Sequence, residues 1–477
     1  MSVQPDMLFG RKVIYIDDVE IDQNNICDIL TKITDTHRTN EMQIDRLYRI
    51  YKGDQSIFQK TRTVRDDVNN IIVVNFAHFI VAFNTGYLLG KPIQYVSCGE
   101  DTMETSDKVS RDIDTLNRYA KNVSKAAEDD ELAKWFNICG TSYRFVMSAP
   151  EDSNSPFATY TVDPRCAFVA YSNFVDKKRK LGVIITTMDD GTKIYHCYTD
   201  KLYIKVSEPF FFPDSILEVK EHVYGAVPLI EYPANTDRIG SFEIVLPLLD
   251  AINAAFSDLA DGREQFINAL LVIKGADIPD EDFKKVKEYG GIKVPSDGDV
   301  KYLVSELNQT ENGETIKLMI STMLTIAGIP DRSGNEGGTS DNGIAVFLRS
   351  GYEDSEMNAE RFERIFTKSE NEFLKIVLRI CNCMKGMQLK LESVEPHFTR
   401  QNTDNMLTKV QSLMSMLSSD KVHPLLAWRI SSLVSDPESA YMISQEYENQ
   451  RIAEEEKRLN ADTVPAHDDA NGADLIE

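Results

Sequence analysis

Seven histidines and seven cysteines are the side chains from which a metal site or a nucleophile would be built. Their spacing builds neither. His37, His78, His196, His222, His397, His423 and His467 never fall at metal-ligand spacing, and none marks an evident nucleophile–base pair. The cysteines (Cys27, Cys98, Cys139, Cys166, Cys197, Cys381, Cys383) are scattered and odd in number. Their single Cys-x-Cys pair lacks a second pair to complete a zinc site, so reduced, packed thiols are expected. Two carboxylate pairs, Asp66-Asp67 and Asp189-Asp190, are of the type that holds Mg²⁺ in a nuclease. Both stand beside turns in an acidic chain, where solvated surface is the stronger reading. The loop from Ser333 to Gly343 has enough glycine to cradle phosphate, yet it lacks the lysine followed by Ser or Thr that such a loop supplies for charge and metal. No phosphate loop, nucleophile elbow, zinc helix or dinucleotide turn occurs. The expectation is a protein that is not an enzyme and uses no cofactor and no metal.

A formal charge of -24 repels nucleic acid over most of the surface, which excludes a conventional groove-reading or wrapping DNA binder. Any DNA contact must be local or weak. Mean hydropathy of -0.31 argues against a membrane protein. The longest apolar stretch, Phe76 to Ile93, is broken by His78, Asn84, Gly86, Gly90 and Pro92, so no membrane span is expected. The first residues lack the pattern of a signal peptide. A cytoplasm or an assembled particle is the expected compartment.

At 477 residues, two or more structural regions must position whatever the chain displays. Residues 41–60 place Met42, Ile44, Leu47, Tyr48 and Tyr51 at helical spacing before a stop at Gly53. A helical pattern from Asn69 ends at Leu89, with Gly90 and Pro92 beyond it, and another precedes Gly140. Short alternating strands then run to Pro233. From Phe242 the pattern changes. Phe242, Val245, Leu249, Ile252, Phe256 and Leu259 form a narrow apolar seam on one helix, with Glu243, Asp250, Asp258, Asp261 and Glu264 on its other side. Residues 269–307 read as a small β-α-β-β module, and a second helix follows as far as Gly328 and Pro330. Two helices bracketing such a module predict an antiparallel hairpin with the module at its tip. Residues 331–343 read as a flexible loop. A long helix starts near Asp354 with an apolar stripe of Phe362, Ile365, Phe366, Phe373, Ile376, Ile380 and Met384. Short helices follow over 403–450, and the acidic tail is expected to be disordered.

The stretches YRIYKGDQSI and NNIIVVNFAHFIVAFNTGYLLGKPIQYVS resemble the opening of portal proteins from siphophages of Gram-positive hosts. The likeness continues in order through LAKWFNICGTSYRFVM, VDPR, YTDKLYIK, GAVPLIEYPAN, FEIVLPLLDAINAAFSD, SDNGIAVFLRSG and VSDPESAYMISQEYEN, covering roughly residues 41 to 450. It rests on the number and order of these landmarks. The resemblance implies an α+β portal fold: an N-terminal arm (1–40), an α/β wing (41–235), a first stem helix (236–270), a clip (271–310), a second stem helix (311–330) and a tunnel loop (331–345). A long wing helix with its return strand (346–396), a helical crown (397–450) and the acidic disordered tail (451–477) complete it.

The same resemblance implies a subunit of a portal-vertex ring, commonly a dodecamer, in the virion, with host cytoplasm as the place of assembly. Double-stranded DNA would pass through it during packaging and ejection. Its partners would be the terminase large subunit, a head-completion adaptor protein, and the major capsid and scaffold proteins. Alternatives are a metal-dependent nuclease or other phage enzyme, and a minor capsid or scaffold protein. Within this frame Glu243, Asp250, Asp258 and Asp261 are expected on the stem channel wall, where carboxylates would keep a duplex mobile. Lys284, Lys285 and Lys287 of the clip would dock the motor. Asn335, Gly337, Gly338, Thr339, Ser340 and Asn342 of the tunnel loop would contact DNA without fixed positive charge. The seam from Phe242 to Leu259 and the stripe from Phe362 to Ile380 are expected to make lateral contacts between copies.

Overall fold

The structure is a computed structural model that describes residues 9–61, 68–98, 103–150, 153–267, 270–274, 299–303, 309–331, 352–399, 406–419, 421–431, 433–434 and 437–462. These residues fall into two compact units, one ending at residue 399 and the other beginning at residue 406.

The first unit opens with β1 (Ile14–Ile16) and the long α1 (Ile26–Lys52). Ile26, Leu30, Ile33, Ile44 and Leu47 share the buried side of α1, which is why it is 27 residues long rather than the short helix expected from residue 41. The expected N-terminal arm is therefore part of the folded body from β1 onward. Gly53, at φ 104, ends α1 and leaves Asp54 to hydrogen-bond back to the Arg49 carbonyl. Then come α2 (Phe76–Leu89), β2 (Gln94–Ser97), α3 (Met103–Asn122) and α4 (Lys125–Cys139).

Gly140 turns the chain from α4 into β3 (Thr141–Ser148), and β4 (Phe157–Val162) pairs beside it. An antiparallel run follows: β5 (Ala167–Ser172), β6 (Arg179–Thr187), β7 (Lys193–Tyr198), β8 (Leu202–Ser207) and β9 (Ile216–Glu221). With β1 parallel to β5 at one side, they form a six-stranded sheet in the order β1-β5-β6-β7-β8-β9. Alternation sends Leu181, Val183, Tyr195, Cys197, Ile204 and Val206 to one face, where the start of α1 covers them. Next, β10 (Leu229–Pro233) joins β3 and β4 in a second sheet.

Two helices, α5 (Leu246–Ile267) and α6 (Gln309–Ile326), bracket an antiparallel pair, β11 (Leu270–Lys274) with β12 (Asp299–Leu303). Leu249, Ile252 and Phe256 meet Met319, Met323 and Leu324 between them, so the expected hairpin is present. The middle of the tip module, residues 275–298, lies outside the described residues. Gly328, at φ 66, follows α6. The long α7 (Tyr352–Lys385) buries Phe366, Phe373, Leu374, Ile376, Val377 and Ile380 against α3, α4 and the second sheet, and β13 (Val394–His397) pairs with β2. Emptying a site such as Phe373, which has no exposed area, costs about 3–5 kcal/mol.

The apolar seam and stripe expected to join copies are used inside the chain instead: Phe242, Ile252, Phe373 and Ile376 are fully buried. The seam meets α6 and α2, and the stripe meets the second sheet. In the second unit, α8 (Met406–Leu417) and α9 (Pro424–Ser431) are short, but α10 (Pro437–Asp462) is 26 residues long. It carries helix through residues 451–462, part of the tail expected to be disordered, because the run from Ala453 to Leu459 consists of strong helix formers. Residues 463–477 lie outside the described residues.

Candidate functional site

A stretch of chain that forms neither helix nor strand must still place its backbone N–H groups. Residues 70–74 place theirs on α5. The Val74 N–H donates to Asn253 Oδ1 at 2.8 Å, the Ile72 N–H to Ser257 Oγ at 3.0 Å and the Asn70 N–H to Asp261 Oδ1 at 2.6 Å. Four helical residues rise about 6 Å and two extended residues about 6.6 Å, so every second N–H of the segment meets every fourth side chain of the helix. Asn253, Ser257 and Asp261 have no exposed area.

Around this ladder the remaining acids of α5 are also engaged. Lys60 Nζ donates to Asp261 Oδ2 at 2.8 Å and lies 2.9 Å from Asp258. Asn70 Nδ2 donates to Glu264 at 2.7 Å, and Ser56 Oγ donates to Asp250 at 2.7 Å. Burial alone raises the carboxyl of Asp261, but the bonds from Lys60 and from the Asn70 backbone outweigh it and hold the group below its usual range. Lys60 is raised in turn, since its two acidic partners overcome its own desolvation.

Glu243 sits just before α5 and is buried. Its Oε1 accepts the Gly10 N–H at 3.0 Å, its Oε2 accepts the Gly240 N–H at 2.9 Å, and it pairs with Arg11. Three glycines let the backbones close here: a Cβ at Gly10, Gly140 or Gly240 would stand 2.0–2.3 Å from a carbonyl oxygen. Nearby, Arg238 grips Glu231 through Nε and Nη2 at 2.6 and 2.9 Å, and Thr141 and Tyr171 donate to the same carboxylate.

A four-charge cluster lies in the core beside α7. Lys125 Nζ is 2.8 Å from both Asp129 and Glu370, while Arg144 is 3.2 Å from Glu370 and also pairs with Asp129. The Tyr95 and Tyr232 hydroxyls each donate to Glu370 at 2.7 Å. Burial pushes the Glu370 carboxyl up, but Lys125 and Arg144 prevail and bring it down to about 2. Two cations against two anions, with the remaining oxygens bonded, is the condition under which buried charge is tolerated.

The structure corrects one expectation about the channel wall. Glu243 and Asp261 are buried and bonded within the chain: Glu243, ahead of α5, holds Gly10, Gly240 and Arg11, and Asp261 receives Lys60 and Asn70 in place of solvent. Asp250 is half-buried and Asp258 is exposed. Lys284, Lys285 and Lys287, and the loop residues Asn335, Gly337, Gly338, Thr339, Ser340 and Asn342, lie outside the described residues, as do Asp66 and Asp67. Asp190 accepts the Thr192 N–H at 2.9 Å in the turn after β6. Burial pushes the His37 imidazole down to about 4. Among the described residues no group of three His, Cys, Asp or Glu is placed to hold a metal ion, and no helix is long and apolar enough to cross a membrane. The reading of the sequence missed the polar ladder. Its signal was present: Asn253, Ser257 and Asp261 recur every four residues beside an apolar seam.

No curated protein matches the chain. Among solved structures it is similar to a chain in the neck of an empty GTA particle, computed with C6 symmetry. That likeness has 12% identity and a TM-score of 0.42, over 75% of this chain and 90% of that one. The family described as phage portal protein, SPP1 Gp6-like, matches residues 30–462. Together with the α+β architecture and the helix hairpin, this match over nearly the whole length gives the chain its place: it belongs to the SPP1 Gp6-like phage portal proteins, structural subunits of the capsid portal vertex.

Proposed function

We propose that copies of this chain close into a ring, a dodecamer in the arrangement common to portals, whose axial channel conducts double-stranded DNA into the capsid during packaging and out of it during ejection. The observation that carries this reading is the α5–α6 hairpin. Two packed helices joined through β11 and β12 form a rod with a small tip, a shape suited to lining a channel at one end and meeting partners at the other.

On this reading the exposed Asp258 and half-buried Asp250 face the duplex. Carboxylates there raise no phosphate affinity through counterion release, so DNA slides instead of sticking. The tunnel-loop residues Asn335, Gly337, Gly338, Thr339, Ser340 and Asn342 offer exchangeable neutral hydrogen bonds to passing phosphates. Lys284, Lys285 and Lys287 at the tip dock the terminase large subunit and later the head-completion adaptor, steered by charge. The major capsid and scaffold proteins surround the ring, which assembles in host cytoplasm. Reversing the three tip lysines tests the docking assignment: motor binding should weaken and become less salt-dependent with rings intact, and undiminished binding would refute it.

A further inference from the structure

Among the described residues the six-stranded sheet ends on two open edges, β1 and β9, each paired on one side only. Both flanks present apolar side chains to solvent. Next to β1, the turn between β5 and β6 holds out Phe174 at 61% and Val175 at 89% exposure, with Tyr15 beside them. At the β9 flank, Phe211 is 66% and Phe212 52% exposed. An open sheet edge with large exposed apolar groups is a hazard for a solitary subunit and marks a surface that another chain covers.

Neither corner is a slack loop. Ser172 Oγ accepts the Phe174 N–H at 3.1 Å, and the Lys177 N–H donates to the Phe174 carbonyl at 3.1 Å. In the other, the Phe211 N–H donates to Ser215 Oγ at 2.7 Å and the Ser215 N–H to the Phe211 carbonyl at 2.8 Å. Anchors pre-set in this way lose little freedom on docking.

The corners also differ in sign. Lys177, Lys178, Arg179 and Lys180 outnumber Asp176 at the first, an unusual concentration in a chain of net charge -24. Arg179 and Lys180 pair with Glu372 and Asp18, whereas exposed Lys178 pairs, among the described residues, with Asp176 of its own turn, and Lys177 lies over the Tyr15 ring. At the second, residues 208–215 carry Glu208 and Asp214 and no cation.

Because β5 to β9 alternate in direction, the two corners sit at opposite ends of the strands as well as on opposite flanks. One copy cannot join them, but a row of copies can. We propose that the Phe174–Lys178 turn of one subunit packs on the Phe211–Asp214 corner of the next, as the head-to-tail contact that closes the ring. A ring requires two different, complementary patches on each subunit, and these two supply apolar surface with opposite charge. The inference rests on the ring reading above. It also fits the burial of the stem seam and wing stripe, which leaves those apolar surfaces unavailable.

The test uses the full-length chain and reads ring mass by native mass spectrometry across protein concentration at about 0.1 M salt. Lys178→Glu, and separately Asp214→Lys, should each move ring assembly to severalfold higher concentration. The two substitutions together should return it to within about twofold of wild type. Because these positions are on the surface, thermal melting should stay unchanged and exclude misfolding as the cause. Val175→Cys with Phe212→Cys, in a background where exposed Cys98, Cys166 and Cys383 are serine, should give a disulfide-linked ladder of multimers, while either alone should not. Rings indifferent to both reversals, failure of the double variant to recover, or absence of the ladder would overturn this contact and leave the ring standing. Wild-type chain that stays monomeric would overturn the ring reading itself.

Discussion

The Asp261 carboxylate on α5 accepts the backbone N–H of Asn70, 191 residues earlier in the chain, at 2.6 Å. With Lys60 on its other oxygen, Asp261 ties the segment ahead of α2 to the first stem helix. A side chain on the acidic half of a helix thus works as a backbone acceptor and not as an open surface charge. Asp261→Ala strands an N–H and a partly buried ammonium together, and should cost about 3 kcal/mol in denaturant unfolding. Asp258→Ala, at an exposed pair with the same lysine, should cost less than about 1 kcal/mol. Equal losses in the two variants would contradict the ladder.

Acid should unfold the first unit through its buried carboxylates. The Glu370 carboxyl stands at about 2 in the folded chain, below the ordinary value of 4.5. A depressed carboxyl contributes stability that is complete above its unfolded pKa and is lost as pH falls through its folded value. Stability should therefore be level with respect to this group above about pH 5 and decline between about pH 4 and 2. Glu370→Gln should flatten that decline while lowering neutral-pH stability by about 3 kcal/mol or more, since Lys125 and Arg144 then outnumber Asp129. A decline of unchanged size in the variant would show that Glu370 is not the group responsible.

Gly140 stands at φ 78, and a Cβ there would lie 2.0 Å from the Arg238 carbonyl oxygen. Gly140→Ala must push apart α4 and the connection from β10 to α5. It should lower the melting temperature by several degrees, the response to a loss of about 2 kcal/mol or more. Gly191→Ala is the control: φ is likewise positive at 85, but nothing crowds the added carbon, so only the smaller conformational cost should appear.

Cationic substitutions in the channel should slow DNA. Asp258→Lys and, separately, Thr339→Lys with Ser340→Lys add phosphate affinity through counterion release. Packaging in particles should slow or stall, more severely at low salt, with ring mass unchanged. Wild-type packaging rates for both would remove these positions from the path of the duplex.

Much of the fold was legible because its punctuation is local. Gly53, Gly140, Gly328 and Gly386 follow helices at positive φ, and each could be read as a helix stop without knowledge of the packing. The α5–α6 hairpin was legible for the same reason, since two apolar periods with strand patterns between them leave few other arrangements. What could not be read depends on distant partners. Arg144 in a strand and Glu370 in an apolar stripe look like interruptions until the fold sets them 3.2 Å apart, 226 residues away in sequence. The carboxylates of α5 read as a channel wall because nothing in the helix itself shows that residues 70–74 need acceptors.

The central claim is a closed ring with an axial channel. Cryo-electron microscopy of the purified full-length chain, with ring mass measured on the same sample, tests it most directly. The account predicts one closed species, of about twelve subunits, with α5 and α6 around an open axial channel and Asp258 facing it. Monomers at every concentration, or an assembly with no continuous channel along its axis, would contradict it.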